Sequence, residues 1–141
     1  MSTRLKGKQE KLEQLITKLA EAAKGKLIVV EGKKDAQALQ ELGVSCTILT
    51  VKTGGKSFLE ATMEIERLEV GTVILLLDFD RRGKEGTLRL KHDLERVGLN
   101  VNTRFWAELQ ALVSREIQCI ESLPAYLSTL QQKASAHIQA A

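Results

Sequence analysis

Three carboxylates in this chain are spaced as a cation-dependent site would need them. Glu31 directly follows the aliphatic run Leu27-Ile28-Val29-Val30, and Asp78 and Asp80 follow Thr72-Val73-Ile74-Leu75-Leu76-Leu77. In extended chain, residues i and i+2 point the same way, so Asp78 and Asp80 can converge. If the two runs are neighbouring strands, about 5 Å apart, Glu31 joins them. Three carboxylates in one cleft repel unless something neutralises them. A hard, oxygen-seeking divalent ion such as Mg²⁺, with Mn²⁺ as a substitute, would do so. A second reading is open: the acids cap helices, or meet Lys33, Lys34, Arg81 and Arg82 in exposed ion pairs. Asp35, four residues after Glu31, suits that reading best, because an acid in a helix's first turn complements the dipole.

The elements that must hold these acids share one grammar: a helical pattern, a glycine, then a short β-branched or aliphatic run. Leu12, Leu15, Ile16 and Leu19 form the stripe of a first helix that stops at Gly25, before Leu27–Val30. A second helix, about residues 33–42, ends at Gly43 before Cys46-Thr47-Ile48-Leu49. A later one, about residues 84–97, ends at Gly98 before Leu99-Asn100-Val101. Glycine tolerates the left-handed conformation just past a helix, so each releases the chain toward a sheet. Between them, Ser57-x-x-Glu60 reads as a capping box for a helix carrying Phe58, Ala61, Ile65 and Leu68. The Thr72–Leu77 run is apolar on both faces, as a central parallel strand covered by helices should be.

This alternation predicts an α/β fold: an open, mainly parallel, four-stranded Rossmann-like sheet with helices on both faces. Residues 1–25 form an N-terminal helix and residues 26–102 the sheet domain. Residues 103–141 form a helical extension, with one long helix from Phe105 to about Ile120 and another from Pro124. In open parallel sheets, ligands gather outside the carboxyl ends of the strands, which is where Glu31, Asp78 and Asp80 fall.

Composition narrows the setting. With 141 residues the chain has room for one domain plus appendages, and 43% hydrophobic with 28% charged residues excludes disorder. No apolar run approaches the roughly 20 residues of a membrane span, and the N-terminus lacks a secretory apolar region. Cys46 and Cys119 have neither framework nor ligand spacing and are expected to be buried thiols of a cytoplasmic protein. Residues 1–26 carry seven basic and three acidic groups, which as a helix reads first as a solvated face. The overall charge of +3 permits a polyanionic partner without requiring one.

Glu31-Gly32-x-x-Asp35 after the first strand, with Asp78-x-Asp80-x-x-Gly83 after a later one, resembles the Toprim domain. That domain is shared by topoisomerases, bacterial-type primases, ribosomal-RNA maturation nucleases and recombination mediators. The likeness covers about residues 26–102, and the whole chain is most similar to the small stand-alone Toprim proteins. The resemblance implies that Asp78 and Asp80 bind Mg²⁺. It implies that Glu31 serves as general acid/base or helps hold the metal. Gly83 would permit the close turn into the next helix, and Arg81, Arg82 and Lys84 would lie near phosphate. Gly32 and Asp35 would support the loop. The function implied is metal-dependent action on phosphodiesters of RNA or DNA, as a small nuclease. The alternative is a non-catalytic nucleic-acid-binding or assembly module that could dock a protein partner, or a second copy, through its C-terminal helices.

Other motifs carry less. Thr53-Gly54-Gly55-Lys56-Ser57 lacks the earlier glycine of a nucleotide-binding P-loop, where Thr50 stands, although Lys56 and the loop amides could meet phosphate. Tyr126, the only tyrosine, lies in a helical appendage and reads as a packing residue rather than a nucleophile. Phe105 and Trp106 sit on an amphipathic stripe and read as core. His92 and His137 lack metal-ligand neighbours and read as surface residues.

Overall fold

The computed structural model describes residues 2–52 and 57–140, with side chains described for residues 3–52 and 57–135. The chain runs α1 (Ser2–Ala23), β1 (Leu27–Val30), α2 (Lys33–Glu41), β2 (Thr47–Thr50), α3 (Phe58–Arg67), β3 (Thr72–Leu75), α4 (Arg81–Arg96), β4 (Asn100–Asn102), α5 (Arg104–Val113) and α6 (Leu123–Ala140). A 3-10 turn over Ile120–Ser122 leads into α6. The strands form one sheet in the order β2-β1-β3-β4, and every pairing is parallel. The expected α/β sheet with helices on both faces is therefore present.

Alternation along the strands divides the core in two. Ile28, Val30, Ile74 and Leu76 face one way, into an apolar layer with Leu12, Leu15, Ile16 and Leu19 of α1, Leu39 of α2 and Leu109 and Val113 of α5. Leu27, Val29, Val73 and Leu75 face the other way, against Ala61 and Ile65 of α3 and Leu90 and Leu94 of α4. Strands buried on both faces by helices explain why β1 and β3 read as unbroken apolar runs. Gly25, Gly43 and Gly98 all take positive φ (73°, 90° and 90°), so the three glycines that end helices do so in the left-handed region. After α3, Glu69 occupies that region instead, at φ 54°.

Three expectations need correction. The β3 ladder closes at Leu75, two residues earlier than the apolar run suggests. Helix α4 begins at Arg81 rather than near Lys84, because Asp80 caps it: its Oδ1 accepts the Gly83 N–H at 2.7 Å. The long helix expected from Phe105 to Ile120 ends at Val113. Beyond it the chain turns back, so that the Gln118 carbonyl accepts the Phe79 N–H (2.7 Å) and the Glu121 N–H reaches Asp35 Oδ1 (2.8 Å). These long-range bonds outweigh the local amphipathic pattern. Helices α5 and α6 both pack on α1.

Candidate metal centre

Each acid is positioned by its strand. β1 and β3 are direct neighbours, with Val29 opposite Leu75, so the residues just beyond both strands meet at the same edge. The pair's last regular rung joins the Leu76 N–H to the Val29 carbonyl at 2.8 Å. The next rung would run from the Asp78 N–H to the Glu31 carbonyl. That carbonyl has instead turned to the Lys52 N–H (2.9 Å), and Glu31 Oε2 accepts the Asp78 N–H at 3.0 Å. The Glu31 side chain thus replaces a main-chain acceptor where the sheet splays open. Its other oxygen, Oε1, lies 3.4 Å from Lys52 Nζ.

Alternation persists through the loop after β3. Phe79 points into the core, 2% exposed, with its ring centroid 6.3 Å from that of Trp106. Asp78 and Asp80 therefore turn the other way. One oxygen from each of Glu31, Asp78 and Asp80 can be chosen such that all three lie within 4.8 Å of one another. Ligands bound at about 2.1 Å on opposite sides of a Mg²⁺ ion stand about 4.2 Å apart, so this spacing needs only small side-chain adjustment to fit. The donor set is all oxygen, which suits a hard cation. Burial, followed by the hydrogen bond and charge of Glu31, pushes the Asp78 carboxyl up to about 8. The Asp78 carboxyl, beside Glu31, is thus biased toward its protonated form at neutral pH.

Gly83 lies buried against the same loop. A Cβ there would stand 1.9 Å from the Asp78 carbonyl oxygen, so the first turn of α4 approaches the loop more closely than any side chain permits. Asp35 departs from its expected role as a simple dipole partner. It is 6% exposed, and its Oδ2 accepts the Gly32 N–H (3.0 Å) while Oδ1 accepts the Glu121 N–H from far along the chain. Burial raises its carboxyl above the ordinary range in spite of these two bonds, which act in the opposite direction. Asp35 also lies within 4.8 Å of Cys119 and Glu121, but its two oxygens already serve main-chain donors, making this a structural clasp.

The basic residues divide. Lys33 and Lys34 are exposed at the start of α2, and Lys84 is exposed in the first turn of α4. Arg81 pairs with Glu85 at 3.1 Å. Arg82 lines a cleft of about 640 Å³ that opens beside Glu31. Lys56 and the rest of 53–56 lie outside the described residues, although Ser57 Oγ accepts the Glu60 N–H as a cap (3.1 Å). The sequence reading missed three residues of that cleft: Lys52, Phe58 and Arg89. Lys52 had a signal, since it follows a strand that ends beside β1. Both cysteines are free and only half-buried, which corrects the expectation of buried thiols. Trp106 donates its Nε1 proton to the Leu77 carbonyl (2.9 Å), and Tyr126 packs beside α1 with Lys8 Nζ 5.7 Å from its ring centre. His92 is exposed, while the His137 side chain lies outside the description.

Comparison with known protein families matches residues 26–109 to the Toprim domain. The chain belongs to the Toprim family. Among curated proteins this Toprim chain is similar to a UPF0292 protein of Methanocaldococcus jannaschii, 39% identical over 120 residues that cover 84% of this chain and 91% of the relative. A UPF0292 protein of Pyrococcus furiosus is 39% identical over 115 residues, covering 81% and 82%. A solved structure of a protein from Aquifex aeolicus superposes with a TM-score of 0.63 at 28% identity, covering 77% of this chain and 94% of that one. None of the described helices is long and apolar enough to cross a membrane.

Proposed function

We propose that this Toprim protein is a Mg²⁺-dependent nuclease, with Mn²⁺ as a substitute, acting on phosphodiester bonds of RNA or DNA in the cytoplasm. The observation that carries the reading is the convergence of Glu31, Asp78 and Asp80 at the carboxyl ends of two adjacent parallel strands. Asp78 and Asp80 would hold the ion, which when bound polarises a phosphate oxygen and stabilises developing charge. Asp80 retains an oxygen for this task, because only Oδ1 is bonded to the helix cap. Glu31 would move the proton. Its carboxylate is oriented by the Asp78 N–H on one oxygen and Lys52 on the other, as a general acid/base must be. Lys33, Lys34, Lys56, Arg81, Arg82 and Lys84 are the basic residues we assign to phosphate contact. The groups other than these three acids sum to +6, and one bound Mg²⁺ would cancel two of the three acidic charges, which favours a polyanion.

The decisive experiment pairs calorimetric titration of Mg²⁺ and Mn²⁺ with a cleavage screen of structured RNAs and DNAs. Wild type binds the ion and cleaves. Asp78→Asn and Glu31→Gln remain folded and lose cleavage by at least a hundredfold, the lower range for losing one general acid/base. Glutamine keeps an acceptor for the Asp78 N–H, so Glu31→Gln separates chemistry from folding. Cleavage undiminished by both substitutions overturns the assignment. Nucleic-acid binding that persists in chelator without turnover assigns the chain to the non-catalytic alternative.

A further inference from the structure

The cleft beside Glu31 has a make-up that phosphate binding alone does not call for. Its volume of about 640 Å³ falls within the roughly 300–1,000 Å³ typical of pockets that enclose a small ligand. Its lining includes Phe58, Leu77, Val51 and Gly86, together with Lys52, Arg82 and Arg89. Phe58 opens α3 and is only half-buried, so its ring is shared between core and cleft. A Cβ at Gly86 would stand 3.1 Å from Phe58 Cζ and 3.3 Å from Leu77 Cδ1, tighter than side chains ordinarily pack. A glycine at this point of α4 leaves the ring lying against bare helix.

The charges are arranged to match. Glu85 is taken up by Arg81, and Arg89 is held by Asp93 through Nε at 3.2 Å. Arg82 makes no ion pair among the described residues. Lys52 reaches from the cleft to Glu31, joining this space to the carboxylates. A paired duplex presents phosphates to a protein surface and keeps its bases stacked inside. A half-open cleft with an aromatic wall suits a base that is already unstacked.

We propose that this cleft seats one unpaired nucleotide of a single-stranded nucleic acid. The base lies against Phe58, and its flanking phosphates lie on Arg82 and Lys52, next to the carboxylates. The assignment takes the identity of the polymer from the proposed function and adds the strand state it accepts.

The test measures fluorescence anisotropy of labelled ten-nucleotide single strands of DNA and RNA, and of the matching blunt duplexes, in EDTA so that nothing is cut. Wild type binds at least one single strand ten or more times tighter than its duplex. Phe58→Leu, which keeps the apolar volume and loses the ring, weakens single-strand binding roughly tenfold and leaves duplex binding unchanged. Phe58→Tyr binds like wild type. Duplex binding as tight as single-strand binding, or Phe58→Leu binding like wild type, overturns the proposal. Metal-dependent cleavage of duplexes without this preference sinks the cleft and spares the nuclease. Preference without cleavage under any metal does the reverse.

Discussion

At the scale of single residues, Asp78 carries the sharpest consequence. Its folded-state carboxyl is raised to about 8, so between its ordinary value of 3.8 and about 8 the folded protein holds a proton that the unfolded chain releases. Stability without metal is therefore greatest below pH 4 as far as Asp78 is concerned, and falls as pH rises toward 8. Asp35 is raised too and adds to the same trend. Denaturation in chelator across this range should show a slope approaching one proton from Asp78, and Asp78→Asn should remove that part. Saturating Mg²⁺ should flatten the wild-type curve, because binding expels the proton, and apparent metal affinity should climb up to tenfold per pH unit in this window. A wild-type slope identical to that of Asp78→Asn would refute the shared-proton picture. The acids themselves were legible in the sequence because alternation is local. Phe58 and Arg89 were not, because their meeting depends on how two helices lie beside a strand end.

At the scale of elements, the contact between α4 and the loop before it has no slack. Gly83→Ala would press a methyl group into the Asp78 carbonyl, which is backbone and cannot swing aside. It should cost about 3 kcal/mol or more, the upper end for overpacking, and should weaken metal binding in the fraction that folds. Thermal denaturation and calorimetry read the two effects, and an unchanged melting temperature would contradict the close approach. The helix–glycine–strand grammar was readable because glycine acts through its own backbone angle. The early end of α5 was not, since residues 105–120 keep an amphipathic period across the break. The bonds that end the helix join Gln118 to Phe79 and Glu121 to Asp35.

At the scale of the whole molecule, Asp35 ties the loop after β1 to the segment that leads into α6. Asp35→Ala would leave the Gly32 and Glu121 N–H groups without their acceptor and should cost roughly 2–4 kcal/mol. Hydrogen exchange should quicken at Glu121 and its neighbours, and unchanged protection there would show that the link is idle. The parallel sheet with helices on both faces followed from the strand and helix pattern, but this clasp spans 86 residues and leaves no local trace.

Trp106, Gln118 and Glu121 brace the loops behind the carboxylates, and the last two lie past the region matched to the Toprim domain. The face of the sheet bearing Ile28, Val30, Ile74 and Leu76 is likewise covered in large part by α1 and by residues beyond 109. A fragment trimmed to 26–109 would thus retain every acid of the site and expose an oily wall behind it. The segment that matches the Toprim domain therefore borrows much of its core cover from residues on either side of it.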